Sequence, residues 1–120
     1  MLRSLEVIRE LERALAIAGA CEIAGLLFED SAGKQRIQLA PNLLSEPGAF
    51  EVPRWWLERM LRRRDSSGYR PIAFLHSHVS SLEPSETDRA SMQGFPLPWI
   101  ILRLQAGQLT WVRLVPLPIL

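Results

Sequence analysis

His76 and His78, the two histidines of the chain, flank Ser77 in the stretch AFLHSHVSSLEPSETD, residues 73–88. In an extended chain alternate side chains share a face, so both imidazoles project to one side with Ser77 opposite. Two imidazoles on one face begin a metal chelate. A catalytic zinc typically takes three protein ligands from His, Cys and Asp/Glu and keeps a further position open. Asp88, ten residues after His78 and within the first turn of the next helical segment, is the candidate third ligand. The same residues have a plainer reading. Ser85 and Asp88 form a capping box beside Pro84, and a pair of histidines at a strand end can be ordinary hydrogen-bonded side chains.

These residues depend on the elements that carry them. Leu5, Ile8, Leu11 and Leu15 recur at helical spacing with Arg9, Glu10, Glu12 and Arg13 between them, which predicts an amphipathic helix over 3–18 that Gly19 ends. EIAGLLF (22–28) and QRIQLA (35–40), separated by the polar turn EDSAGK, predict a β-hairpin. A short strand around Phe50–Val52 is expected in the proline-bracketed segment that follows. Pro53 suits the first turn of a helix whose apolar face is Trp56, Leu57, Met60 and Leu61, running to about Arg64. IAFLH (72–76) has the length and character of a buried strand, and SETDRASMQ that of a short helix stopping near Gly94. Two strand-forming runs, 99–105 and 109–115, close the chain around a Gly-containing turn. The predicted order is α β β α β α β β, a mixed α/β arrangement in one domain spanning 1–120. The Trp55–Trp56 pair and Phe95 read as core rather than as ligand-stacking residues.

Composition narrows the function classes. At 120 residues the chain fits a single domain, and its 48% hydrophobic and 22% charged residues suit a globular one. No apolar run reaches the roughly 18–20 residues of a membrane span, and Glu6, Glu10 and Glu12 break the N-terminal segment that an export signal would need. No membrane partner and a cytoplasmic location are therefore expected. A net charge of +1 gives no strong field for nucleic acid, so none is expected as a partner. Arg59, Arg62, Arg63 and Arg64 read as a solvated helix face. Cys21 has no disulfide partner, and nothing around it in the sequence would lower a thiol pKa for nucleophilic work.

Taken together, H-S-H at His76, Ser77 and His78, S-x-x-D at Ser85–Asp88, and the E-x-x-G of Glu22 and Gly25 ahead of an apolar strand resemble the JAMM (JAB/MPN-type) zinc metalloproteases. The resemblance covers about residues 5–105. Its loop VSSLEP (79–84) is one residue shorter than is usual in the family and begins with Val79 rather than proline. The resemblance implies a cytidine deaminase-like three-layer fold. It also implies a zinc ion held by His76, His78 and Asp88, with Glu22 as general acid/base and Ser85 as hydrogen-bond donor to the developing oxyanion. Zinc in such a ligand set lowers the pKa of water toward about 7. The implied substrate is a ubiquitin-like protein with a C-terminal Gly-Gly tail, cut after its last glycine. A silent scaffold of the same fold, or a peptidase of cell-wall or phage-derived peptides, are the alternatives. Without the motifs around it, Glu22 would be an exposed charge at the start of a strand.

Overall fold

The computed structural model describes residues 1–41, 51–62 and 68–116. Helix α1, Leu5–Ala18, starts where the Ser4 hydroxyl accepts from the Val7 N–H and stops at Gly19, whose φ of 61° is the left-handed turn a glycine makes easily. It is followed by β1 (Ala24–Glu29), β2 (Gln35–Leu39), α2 (Arg54–Leu61), β3 (Arg70–Ser77), α3 (Glu86–Met92), β4 (Trp99–Gln105) and β5 (Gln108–Leu114). The order matches the sequence expectation. The strands form one sheet in the order β2-β1-β3-β4-β5, in which only β3 and β4 run parallel, with α3 as their crossover.

Helices cover both faces of this sheet. On one face Val7, Leu11 and Leu15 of α1 pack on Leu27, Ala73, Leu75, Ile100 and Leu102. On the other, Trp56 of α2 and Met92 of α3 pack on Ala24, Leu26, Phe28, Phe74 and Trp99. The α/β layering thus follows from the period-two alternation of each strand: Leu75 faces α1, and Phe74, with His76 two residues on, faces the shorter helices.

Several boundaries differ from the expected ones, each for a physical reason. β3 begins at Arg70, two residues early, and contains Pro71, which has no N–H to give the ladder. The β1–β3 register shifts between Leu27 and Phe28, opposite this proline, so the irregularity absorbs the missing donor. β1 begins at Ala24 rather than residue 22, which leaves Glu22 ahead of the strand. Pro53 caps α2 rather than lying inside it. Glu51 and Val52 are not in a strand, and Phe50 lies outside the described residues. The expected extension of α2 to Arg64 falls partly on residues that are not described, while Arg59 and Arg62 are exposed as expected of a solvated face.

The paired tryptophans separate. Trp56 is buried, but Trp55 is 59% exposed on the outer side of α2 with the Arg59 guanidinium 5.6 Å above its ring, so Trp55 is not core. Adjacent helical positions point about 100° apart, and only one of them can face the sheet. Phe95 is partly buried and packs beside Phe74 and Trp99. Among the described residues no helix is long and apolar enough to cross a membrane.

Candidate metal centre

The site lies at the carboxyl end of β3, on the face covered by α2 and α3. His76 sits in the strand and is 1% exposed, with Trp99 of the adjacent strand edge-on to its ring at 6.1 Å. His78 lies one residue past the strand, where its N–H donates to the Leu102 carbonyl at 2.8 Å and so continues the parallel pairing with β4. The two imidazoles stand on one side, edge to face, with centroids 4.8 Å apart. The alternation read from the sequence places them as the structure does.

Asp88 reaches these rings from α3. Its carboxylate lies 3.4 Å from His76 Nε2 through Oδ1 and 2.9 Å from His78 Nε2 through Oδ2. The aspartate is fixed by the capping box: Ser85 N–H donates to Oδ2 at 2.9 Å, and Asp88 N–H donates to Ser85 Oγ at 3.0 Å. The helix cap and the imidazole contacts use the same carboxylate, so the capping box itself brings Asp88 beside both histidines. The six-residue connection 79–84 is long enough to bring α3 back over His78, and Arg103 Nε donates to Val79 O at 3.1 Å at its start. Ser85 Oγ accepts from Asp88 while its own proton is available, since a hydroxyl both donates and accepts.

Glu22 comes from the segment just ahead of β1. Its Oε2 lies 3.4 Å from His76 Nε2, the same separation as Asp88 Oδ1, and its side chain is 11% exposed. Glu22, His76 and His78 each offer a ligand atom, and these lie within 4.8 Å of one another. Nitrogen and oxygen donors on a tetrahedral ion with bonds of about 2.0–2.1 Å lie roughly 3.4 Å apart, so the spacing around His76 Nε2 suits a metal ion. The donor set is chemically fit for a divalent metal of the imidazole–carboxylate class.

The two carboxylates are held in opposite ways. Burial raises the Glu22 carboxyl above its ordinary value and Asp88 adds to the rise, against the pull of His76 and His78. Burial acts in the same upward direction on Asp88, but hydrogen bonds from His76 and the Ser85 N–H, with the charge of both imidazoles, outweigh it and hold this carboxyl well below the usual range. A proton therefore resides more readily on Glu22 than on Asp88.

All five residues singled out in the sequence converge here. Cys21, the neighbour of Glu22, is half-buried and lines a cavity of about 210 Å³ with Leu15, Ser77 and His78. Two neighbours of the site were not singled out. Trp99 reads in the sequence only as part of a strand. Ser77, assigned merely to the opposite face, is 2% exposed, and its hydroxyl accepts the Ile23 N–H at 2.8 Å. The signal for Ser77 was a hydroxyl in a run otherwise destined for burial, which needs a partner.

A family model described as prokaryotic homologs of the JAB domain matches residues 4–114. No curated protein matches the sequence. Among solved structures, the chain is similar to protein DSY2949 from Desulfitobacterium hafniense, with a TM-score of 0.66 at 22% identity over 92% of this chain and 80% of that one. It is also similar to AF2198, a JAB1/MPN domain protein from Archaeoglobus fulgidus, with a TM-score of 0.58 at 17% identity over 88% of this chain and 82% of that one.

Proposed function

Because the chain belongs to the family of prokaryotic homologues of the JAB domain, we propose that it is a zinc-dependent isopeptidase, with His76, His78 and Asp88 holding the ion. The observation that carries this reading is the pair of carboxylates at His76 Nε2, each 3.4 Å away and shifted in opposite directions of acidity. An ion needs a ligand that stays ionised, and Asp88 does. Proton transfer needs a base whose affinity for a proton is raised toward neutrality, and Glu22 has it.

Zinc, when bound, supplies Lewis-acid polarisation of the scissile carbonyl and makes water more acidic. Glu22 takes a proton from the attacking water on its carboxylate and delivers it to the leaving amine nitrogen. Ser85 presents its hydroxyl proton to the oxygen that gains charge as the carbonyl carbon becomes tetrahedral. No covalent bond to the protein forms. His76 is nearly sealed from solvent against Trp99, which strengthens the electrostatic interactions around its ring.

The substrate class rests on the family resemblance: a ubiquitin-like protein cut after the glycine that ends its Gly-Gly tail. The net charge of +1 gives no strong field for a nucleic acid, and among the described residues no helix is long and apolar enough to cross a membrane.

Elemental analysis of the purified protein tests the metal. Stoichiometric zinc in the wild type, lost in His78→Ala, is the expected result; zinc that persists in that variant would remove His78 from the site. Cleavage of a ubiquitin-like protein fused through its terminal glycine tests the reaction, with activity expected in the wild type and absent in Glu22→Ala. A zinc-loaded wild type that leaves the fusion intact would favour an interaction domain over an enzyme.

A further inference from the structure

The hydroxyl of Ser77 ends the β1–β3 ladder in an unusual way. The register pairs Ala24 with His76, so Ile23 and Ser77 are the next facing residues. In an antiparallel sheet every second facing pair exchanges two backbone hydrogen bonds, and the position of Ile23 and Ser77 is one of these. One is made: Ser77 N–H donates to Ile23 O at 2.9 Å. In the other, Ile23 N–H donates to Ser77 Oγ at 2.8 Å, and the side chain stands in for the carbonyl. β1 is thereby tied to β3 one residue after Glu22, at the point where the regular strand has already ended.

We propose that Ser77 is a positioning residue for Glu22: its hydroxyl fixes the backbone of Ile23 and so sets the distance from the Glu22 carboxylate to His76. This rests on the role proposed above for Glu22. The same short segment, residues 76–78, then serves both halves of the site. His76 and His78 face the metal position on one side, and Ser77, pointing to the α1 side, holds the acid/base residue from behind. Glu22 itself precedes the strand, and the two contacts that Ser77 makes with Ile23, through its N–H and through its hydroxyl, hold the backbone next to Glu22.

Removing the hydroxyl leaves the Ile23 N–H without its acceptor and lets the β1 entry drift. Displacements of about 1 Å at a reacting group can cost roughly 100-fold in rate, and loss of a supporting hydrogen bond near a metal site typically costs about 10–100-fold. Thr keeps the hydroxyl, and the cavity of about 210 Å³ that Ser77 lines gives its extra methyl room. Val has the shape of Thr and no hydroxyl.

The test compares wild type, Ser77→Ala, Ser77→Thr and Ser77→Val, each zinc-loaded, for cleavage of a ubiquitin-like fusion, for zinc content, and for hydrogen exchange at the Ile23 amide. The expected result is a fall of about 10–100-fold in kcat with KM and zinc content unchanged in Ala and Val, and recovery in Thr. Exchange at Ile23 should quicken in Ala and Val and stay slow in Thr. Equal kcat in wild type and Ala, Val rescuing as well as Thr, or an Ile23 amide still protected in Ala, would each overturn the positioning role. If Ala and Val fold poorly, the Ile23 amide of Ser77→Thr against wild type still decides whether a hydroxyl holds it: loss of protection there would overturn the role. An inactive wild type would instead overturn the proposed reaction, an outcome distinct from an active wild type indifferent to Ser77.

Discussion

The entry to β1 and the first turn of α3 each present one carboxylate to the same nitrogen of His76, at the same 3.4 Å, yet they are built differently. Asp88 sits in a helix cap, gripped by the Ser85 N–H and touching both imidazoles. Glu22 sits ahead of a strand, 3.4 Å from His76, and its neighbour Ile23 is bonded to the Ser77 hydroxyl. Equal distance thus coexists with opposite acidity. What lowers Asp88 while Glu22 is raised is the set of hydrogen bonds that Asp88 accepts from His76 and the Ser85 N–H, because burial pushes both carboxyls in the same direction.

The largest expected effect breaks this comparison directly. Asp88→Asn should weaken zinc binding by at least about 100-fold, whereas Glu22→Gln should leave it within a few-fold while removing most of the activity. Competition with a chromophoric chelator reads the affinity. Comparable losses in both variants would mean that Glu22 is itself a ligand, a set that the close grouping of Glu22, His76 and His78 makes chemically feasible.

Next in size is Gly25→Ala, aimed at the strand behind Glu22. A Cβ at this position would lie 2.5 Å from the Gln38 carbonyl oxygen and 3.0 Å from Leu39 Cα, both backbone atoms of β2. Neither can swing aside, so β1 and β2 must separate, at a cost of about 1–3 kcal/mol in unfolding free energy. Denaturant titration checks it, and an unchanged midpoint would show that β2 yields freely. Smaller again is Ser85→Ala on the α3 side, expected to cost about 1 kcal/mol through loss of the cap on a seven-residue helix. Its stability loss should be accompanied by a rate loss, since the same hydroxyl is the proposed oxyanion donor.

Much of this was legible in the sequence because it depends on local periodicity. Leu11 and Leu15 of α1, the alternation through His76 and His78, and the capping box of Ser85 and Asp88 all express rules that act over four residues or fewer. Glu22 stands 54 positions before His76, so only its likeness to a known motif joined them; the pairing of Ala24 with His76 that brings them together is a long-range contact. Trp55 was misread because a tryptophan pair looks apolar in one dimension while a helix turns one of the two outward. Ser77 was passed over for a similar reason. Which face it occupies follows from alternation, but that its hydroxyl would replace a ladder carbonyl follows only from where β1 ends.

The smallest expected effect sharpens the comparison through pH, read on the metal-free protein in chelator. Glu22 has a folded pKa above its ordinary 4.5, so its contribution to stability is complete below about pH 4.5 and is lost as pH rises through the folded value. Asp88 has a folded pKa below its ordinary 3.8, so its contribution is complete above about pH 4 and is lost as pH falls toward the folded value. The two limbs adjoin without overlapping, which gives these residues a joint stability maximum between about pH 4 and 5. Each limb should be shallower than the full one-proton slope of about 1.4 kcal/mol per pH unit. Glu22→Gln should remove the limb on the alkaline side and stabilise the metal-free protein at neutral pH relative to wild type. Asp88→Asn should remove the acid-side limb and leave the alkaline one in place but smaller, since the Asp88 charge adds to the rise at Glu22. Chemical denaturation from pH 3 to 8 measures both differences against wild type, which cancels the groups the variants share. If both substitutions abolished the same limb, the carboxylates would be equivalent, and the proposed division of labour between strand entry and helix cap would fail with them.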